Sequence, residues 1–229
     1  MPTSAAPTMP GAAAVTERLV GLGAVAVIRL DDAEAALRAA RAVHAGGVAA
    51  LEVTLTTPGA FDVIERLASD ADDGVLVGAG SVLDAENARR AIDAGARFVV
   101  SPVVRPELVD EVHGRGAAAL LGAFTPTEIL AAHEAGADLV KVFPADALGP
   151  AFIKGVLGPM PFLRLVPTGG VTPENAGDWL RAGAAAVGLG GALVDPKLVA
   201  AGDFDALTER ARRLVASVAA ARGRTGGEP

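Results

Sequence analysis

One structural unit repeats along this chain: an alanine-rich helix that ends at glycine, a short apolar strand, and a turn rich in glycine, proline and threonine. The predicted strands end about 19 to 27 residues apart, which is the length of one strand and helix unit. The predicted ends are Arg29, Glu52, Gly78, Ser101, Gly122, Lys141, Thr168 and Gly188. Eight such units predict an α/β fold, the closed (β/α)8 TIM barrel.

An open, doubly wound sheet is the competing α/β fold. Such a sheet usually carries a glycine fingerprint after its first strand, whereas Arg29-Leu30-Asp31-Asp32 follows the first strand here. A helix around Val15 to Leu22 is expected to cap the bottom of the barrel, and a helix from Phe204 to Arg222 is expected to close the ring. We therefore predict one barrel domain over residues 15–222, flanked by disordered tails at 1–14 and 223–229.

The composition narrows the possible partners and the compartment. A formal net charge of -7 disfavours nucleic acid and anionic membranes as partners. The chain has no cysteine, which excludes disulfides and thiolate metal sites and is typical of a cytoplasmic protein. The first residues lack the basic start and the apolar run of a signal peptide or a membrane span.

Three predicted strands each hold an ionisable side chain among apolar neighbours. They are Leu139-Val140-Lys141-Val142-Phe143, Leu51-Glu52-Val53-Thr54-Leu55 and Ala26-Val27-Ile28-Arg29-Leu30. Burying an ammonium costs several kcal/mol unless it is paired or loses its proton, and a neutral lysine is a nucleophile suited to Schiff-base chemistry. A lone buried lysine is equally explained by a stem that reaches solvent or by a structural ion pair. Three such groups at strand ends instead indicate one site.

Only three lysines can form an imine. Lys154, in a helix-like segment, and Lys197, in a turn, are expected at the surface, so Lys141 is the candidate nucleophile. Glu52 is a candidate acid and base for the proton transfers. Its alternative role is a structural ion pair with Arg29 or Lys141, and the two roles do not exclude each other.

The histidines give no sign of a metal site. His44, His113 and His133 each precede a glycine at a predicted helix end, so we expect them at the face opposite the strand ends, as helix C-terminal caps. No histidine cluster is then left near the strand ends, and neither a metal nor a cofactor is predicted.

Two glycine-rich loops follow the seventh and eighth predicted strands. In these barrels such loops commonly bind phosphate through backbone N–H groups. One Gly-Gly pair is more often a plain turn, but two pairs at these two positions favour an anion site. The candidate residues are Thr168, Gly169, Gly170, Gly190 and Gly191.

A series of motifs, in order along residues 15–194, resembles the 2-dehydro-3-deoxy-phosphogluconate (KDPG) and 4-hydroxy-2-oxoglutarate (KHG) aldolases, which are class I pyruvate-dependent enzymes. The matching stretches are Leu51-Glu52-Val53-Thr54, Gly78-Ala79-Gly80-Ser81-Val82-Leu83, Ser101-Pro102, Thr125-Pro126-Thr127-Glu128, Val140-Lys141-Val142-Phe143-Pro144-Ala145, Gly149-Pro150, Phe152-Ile153-Lys154 and Pro167-Thr168-Gly169-Gly170-Val171.

The resemblance implies a barrel that usually forms trimers. It also implies that Lys141 forms the imine, that Glu52 does the acid and base work, and that Ser81 replaces a pyruvate-binding threonine. Thr168 to Gly170 would bind near a distal phosphate. Further substrate-binding candidates in or beside these motifs are Arg29, Thr56, Ser101, Pro102 and Phe143.

Three positions depart from the family pattern. Thr56 stands where many members have an arginine for the pyruvate carboxylate, and Arg29 is the expected substitute. Gly191 stands where a serine hydroxyl can hold phosphate. The usual Pro-Gly before Thr125 reads Leu121-Gly122-Ala123-Phe124.

The expected activity is cleavage of 2-dehydro-3-deoxy-6-phosphogluconate to pyruvate and glyceraldehyde 3-phosphate. KHG and the 6-phosphogalactonate epimer are alternative substrates. An isomerase or epimerase barrel, which shares the phosphate loops, and a catalytically silent oligomeric scaffold are the rival functions.

Overall fold

The computed structural model describes residues 11–71 and 74–223. Within them, eight parallel strands pair with their neighbours in chain order, and β1 also pairs with β8. A bridge from Thr168 to Gly188 joins the ends of β7 and β8, so the sheet closes into the predicted (β/α)8 barrel. The strands are β1 Ala24–Ile28, β2 Ala50–Thr54, β3 Leu76–Gly80, β4 Phe98–Val100, β5 Ala118–Ala123, β6 Leu139–Val142, β7 Leu165–Pro167 and β8 Val187–Leu189.

Helices alternate with the strands and lie outside them. They are α1 Ala12–Leu22, α2 Ala33–Ala45, α3 Ala60–Asp70, α4 Ala85–Asp93, α5 Glu107–Gly114, α6 Pro126–Glu134, α7 Pro150–Leu157, α8 Ala176–Arg181, α9 Pro196–Ala200 and α10 Phe204–Ala221. A short 3₁₀ helix, Ala145–Ala147, follows β6. The last helix, α10, packs against α2 and α8 and completes the outer ring, as expected.

The core has two layers because side chains alternate between the two faces of each strand. One layer lies between the strands and the outer helices. The other fills the barrel interior with residues such as Val25, Ala50, Phe98 and Leu139. Val15 and Leu19 of α1 belong to this inner layer, so α1 closes one end of the barrel, as the sequence predicted.

The predicted domain limits need one correction. Helix α1 begins at Ala12, three residues before the expected start, so residues 12–14 are helical and do not belong to a tail. Alanine strongly favours helix, so Ala12, Ala13 and Ala14 extend the helix back to its N-cap, Gly11. Most of the two predicted tails, at 1–10 and 224–229, lies outside the described residues.

The histidines lie in the last turns of their helices, as predicted. His44, His113 and His133 are the second-to-last residues of α2, α5 and α6. His113 Nε2 lies 2.7 Å from Asp138 Oδ2. Within residues 11–71 and 74–223, no three His, Cys, Asp or Glu side chains are grouped to hold a metal ion. No helix in that part of the chain has the length and apolar character needed to cross a membrane.

Candidate active site

Two oppositely charged side chains meet inside the barrel. Lys141 on β6 and Glu52 on β2 lie two residues beyond Leu139 and Ala50, which face the barrel interior. Because strand side chains repeat every two residues, Lys141 and Glu52 also point inward. Lys141 Nζ lies 3.5 Å from Glu52 Oε1, and the two side chains are only 7% and 4% exposed. The predicted meeting of these groups is therefore present.

The lysine amine is also close to an aromatic ring. Phe143 is the residue directly after β6, and the centre of its ring lies 5.5 Å from Lys141 Nζ. A cation at that distance is attracted by the ring face. Phe143 thus restricts the amine from one side while Glu52 holds it from another.

A cavity of about 340 Å³ opens above this pair, at the carboxyl ends of β1, β6, β7 and β8. It contains eight of the predicted site residues, drawn from four segments of the chain. They are Arg29, Lys141, Phe143, Thr168, Gly169, Gly170, Gly190 and Gly191. Five further lining residues were not predicted: Val27, Val171, Ala192, Val194 and Pro196.

Two of those missed residues had a usable signal. Val27 lies two residues before Arg29 and so faces the same side of β1. Ala192 continues the Gly190-Gly191 loop. The other three, Val171, Val194 and Pro196, line the cavity because of how the loops after β7 and β8 fold. The sequence has no periodic pattern that predicts the conformation of these loops.

Five predicted site residues do not line this cavity. Glu52 does not line the cavity itself but contacts Lys141, which does. Thr56 is exposed, and its Oγ1 lies 2.9 Å from Thr54 Oγ1. Ser101 is fully buried and Pro102 is half-buried, directly after β4. Ser81 is half-buried after β3, with a positive φ of 60°.

Arg29 is the exposed cation of the cavity. It stands one residue after β1 and forms no ion pair with any described residue. Lys141 is paired with Glu52, so Arg29 provides the uncompensated positive charge among the lining residues. A guanidinium of this kind is suited to a carboxylate or phosphate.

Backbone N–H groups add to this positive character. Gly170, Gly191 and Ala192 line the cavity, and their N–H groups donate to no acceptor in the described part of the chain. Gly170 has a φ of 70°, a backbone conformation that glycine adopts without strain. Free N–H groups that rim a cavity can bind an anion.

The loop after β8 is held from behind by α10. Arg210 donates from Nη1 to the Ala192 carbonyl oxygen at 3.2 Å and from Nη2 to Asp195 Oδ2 at 3.2 Å. Leu193 N and Val194 N both donate to the Gly190 carbonyl oxygen at 2.9 Å. These bonds keep the Gly190 to Ala192 backbone at the rim of the cavity.

A family model for aldolases, described as KDPG and KHG aldolase, matches residues 15–210. The chain belongs to this family. The family predicted from the motifs is therefore confirmed, and with it the enzyme class: the protein is an aldolase, which is a lyase.

Curated relatives within the family carry different substrate names. The chain is 36% identical over 196 residues to the 2-dehydro-3-deoxy-phosphogluconate aldolase of Pseudoalteromonas atlantica, covering 85% of this chain and 91% of the relative. It is 35% identical to the 2-dehydro-3-deoxy-6-phosphogalactonate aldolase of Escherichia coli K12, covering 74% and 83%. Relatives of similar identity thus do not distinguish the substrate.

Solved structures agree with the fold. The KDPG aldolase of Legionella pneumophila, captured with pyruvate as a covalent carbinolamine, has a TM-score of 0.79 at 30% identity, covering 87% of this chain and 97% of that one. A cube-shaped cage, designed by fusing symmetric oligomeric domains, has a TM-score of 0.81 at 30% identity, covering 88% and 74%.

Proposed function

We propose that this aldolase cleaves 2-dehydro-3-deoxy-6-phosphogluconate to pyruvate and glyceraldehyde 3-phosphate through an imine on Lys141. The observation that carries the proposal is the buried Lys141 amine, 3.5 Å from the Glu52 carboxylate, at the base of the cavity. A nucleophile and a proton carrier within such reach are what imine formation requires.

Glu52 serves the proton transfers in this mechanism. Glu52 accepts a proton from the Lys141 ammonium, and the neutral Nζ attacks the C2 carbonyl. The same proton, returned by Glu52 to the C2 hydroxyl, lets the resulting carbinolamine lose water and become an iminium. Removal of the C4 hydroxyl proton breaks the C3–C4 bond, the electron pair moves into the iminium, and the aldehyde leaves. Protonation of the enamine at C3 and hydrolysis then release pyruvate and restore the lysine.

Arg29 is the proposed partner of the pyruvate carboxylate. It lines the cavity with Lys141 and forms no ion pair among the described residues. Many members of the family that the motifs resemble have an arginine for this carboxylate at the position of Thr56, which is neutral here. Ser81, Ser101 and Pro102 follow β3 and β4 and are proposed to shape the pyruvate side of the site.

The distal end of the cavity is the proposed phosphate site. Thr168, Gly169 and Gly170 follow β7, Gly190 and Gly191 follow β8, and all five line the cavity and are proposed to form this end. The free N–H groups of Gly170, Gly191 and Ala192 support an anion there. The 6-phosphogalactonate epimer would use the same phosphate site, whereas KHG would leave it unused, and both are alternative substrates.

Borohydride reduction in the presence of pyruvate tests the mechanism. Peptide mapping should find the reduced adduct on Lys141, and Lys141→Met should abolish both the adduct and the cleavage activity. Lys154→Met is the matched control, because Lys154 is exposed on α7 and should be dispensable. An adduct on Lys154 or Lys197, or no adduct, would overturn the proposal.

We also propose that the protein forms a homotrimer and that it resides in the cytoplasm. Leu83, Val103 and Phe124 are large apolar side chains, 47%, 46% and 38% exposed, after the ends of β3, β4 and β5. Covering such side chains would favour association between copies, and the similar cage was built from symmetric oligomeric domains.

The absence of cysteine supports a reducing compartment. Sedimentation equilibrium and cell fractionation test these two proposals.

A further inference from the structure

A glycine on the neighbouring strand lies against the end of the Glu52 side chain. Gly80 ends β3 and pairs with Thr54 of β2. Leu76, four residues earlier, faces the barrel interior, so Gly80 faces it too. A Cβ atom at Gly80 would lie 2.0 Å from Glu52 Oε1, 2.7 Å from Cδ and 2.8 Å from Cγ. Side-chain atoms do not pack this closely, so Glu52 occupies the space that a side chain at position 80 would need.

The backbone does not require glycine at this position. Gly80 is absent from the residues with positive φ, unlike Gly169 and Gly170 in the phosphate loop. Its carbonyl oxygen accepts a regular hydrogen bond from Leu55 N at 2.8 Å. An alanine is therefore compatible with the β3 backbone, and the three atoms nearest to its Cβ would all belong to the Glu52 side chain.

Two other inward-facing glycines show the contrast. A Cβ atom at Gly122 would lie 2.2 Å from the backbone of Pro102, and one at Gly78 would lie 2.4 Å from the buried Phe98 ring. Substitution at either would push on backbone or on a core ring, so it would disturb the fold. At Gly80 the nearest atoms are Cγ, Cδ and Oε1 of one glutamate side chain, which can rotate.

We propose that Gly80 is a positioning residue: its missing side chain lets the Glu52 carboxylate lie within reach of Lys141. Any side chain at position 80 displaces that carboxylate while the barrel stays folded. The amine can still add to the carbonyl, but the proton transfers that follow lose their carrier. This role rests on the proposed function, since it acts only through Glu52.

Gly80→Ala tests the proposal, with Gly155→Ala as the control. Gly155 is exposed within α7, and a Cβ atom there has nothing within 4 Å. We expect Gly80→Ala to lower kcat by about 10²-fold, the effect of a misplacement of about 1 Å, with little change in KM. The control should keep wild-type kinetics.

A double-mutant cycle identifies the route of the effect. In Glu52→Ala the colliding carboxylate is gone, so adding Gly80→Ala should change kcat by less than about threefold. If Gly80→Ala alone fails to fold, the double variant should recover the melting transition of Glu52→Ala, which lacks the same carboxylate. Equal losses in both backgrounds, a double variant less stable than Glu52→Ala, or a fully active Gly80→Ala would each overturn the proposal.

The two proposals fail in different ways. If the function assigned to Lys141 is wrong, the wild type and Gly155→Ala form no borohydride-stable adduct with pyruvate. If only the role of Gly80 is wrong, both form the adduct and cleave substrate, and Gly80→Ala matches them.

Discussion

Lys141 Nζ lies 3.5 Å from Glu52 Oε1, although 89 residues separate the two in the chain. The contact exists because β6 and β2 both turn these side chains into the barrel, where almost no water reaches them. In such surroundings the two charges attract each other more strongly than they would in water. Loss of one partner would leave the other buried without compensation. The pair can therefore serve the fold and the chemistry together.

Glu52→Gln should lower kcat by about 10²–10⁴-fold, the usual contribution of a positioned acid and base. The substitution keeps the shape of the side chain and removes its ability to exchange a proton. Pyruvate should still bind, as measured by isothermal titration. Unchanged turnover would assign Glu52 to a purely structural ion pair.

Arg29→Ala should weaken binding of pyruvate by about 1.5–3 kcal/mol, because a charge-assisted bond to the carboxylate is lost. The expected rise in Kd is roughly 10- to 150-fold. Arg66→Ala, which removes an exposed arginine paired with Glu34, is the control and should leave Kd unchanged. If Arg29→Ala folds and binds pyruvate normally, the carboxylate is held elsewhere.

Gly191→Ser should increase the preference for a phosphorylated substrate. A Cβ atom at Gly191 has nothing within 4 Å, and its φ is not positive, so serine fits without strain. One added hydroxyl bond is worth about 0.5–1.5 kcal/mol, which widens the ratio of kcat/KM between the phosphorylated and unphosphorylated sugar acid by roughly 2- to 12-fold.

The wild-type enzyme provides the reference for that ratio. It should already favour the 6-phosphorylated sugar acid, because the N–H groups at the rim of the cavity remain without the hydroxyl. If both forms react equally well, or if KHG reacts better than either, the distal end is not a phosphate site and KHG becomes the assigned substrate.

Thr125→Ala should destabilise the barrel by about 0.5–2 kcal/mol, because it removes the N-terminal cap of α6. Thr125 Oγ1 accepts from Glu128 N, and Glu128 Oε2 accepts from Thr125 N and Phe124 N. Chemical denaturation at pH 7 measures the loss. Thr127→Ala, within the same exposed turn but outside this cap, is the control.

The same cap should weaken in acid. Hydrogen bonds from the backbone N–H groups of Thr125 and Phe124 hold the pKa of Glu128 below its usual value of 4.5. A lowered pKa in the folded state means that the stabilisation is complete above pH 4.5 and is lost as the pH falls through the folded value. The stability difference between wild type and Glu128→Gln should therefore shrink below pH 4.5. A difference that is constant with pH would contradict this.

Much of the fold could be predicted from local patterns in the sequence. Glycines after alanine-rich helices and apolar runs at regular spacing predicted all eight strands, because helix ends and buried strands depend on neighbouring residues. The start of α1 was predicted three residues late, because Ala12, Ala13 and Ala14 were assigned to the tail although alanine favours helix.

Part of the active site could also be predicted from local sequence patterns. A charged residue is conspicuous in a strand that is buried on both faces, so Lys141 and Glu52 were found without knowledge of their contact. The glycine-rich loops after β7 and β8 were found from their position in the repeat. These signals identify residues and the end of the barrel on which they lie.

The distances between side chains across the barrel could not be predicted from the sequence, because they depend on how the sheet closes. The sequence does not state which inward side chains share a space, because strand tilt and register set this between residues far apart in the chain. Only the tertiary structure decided that Lys141 meets Glu52, and that Ser81 and Ser101 lie outside the cavity lined by Arg29. It also decided that Gly80 leaves the room in which the Glu52 carboxylate lies, because that steric requirement arises only where β2 and β3 pack side by side.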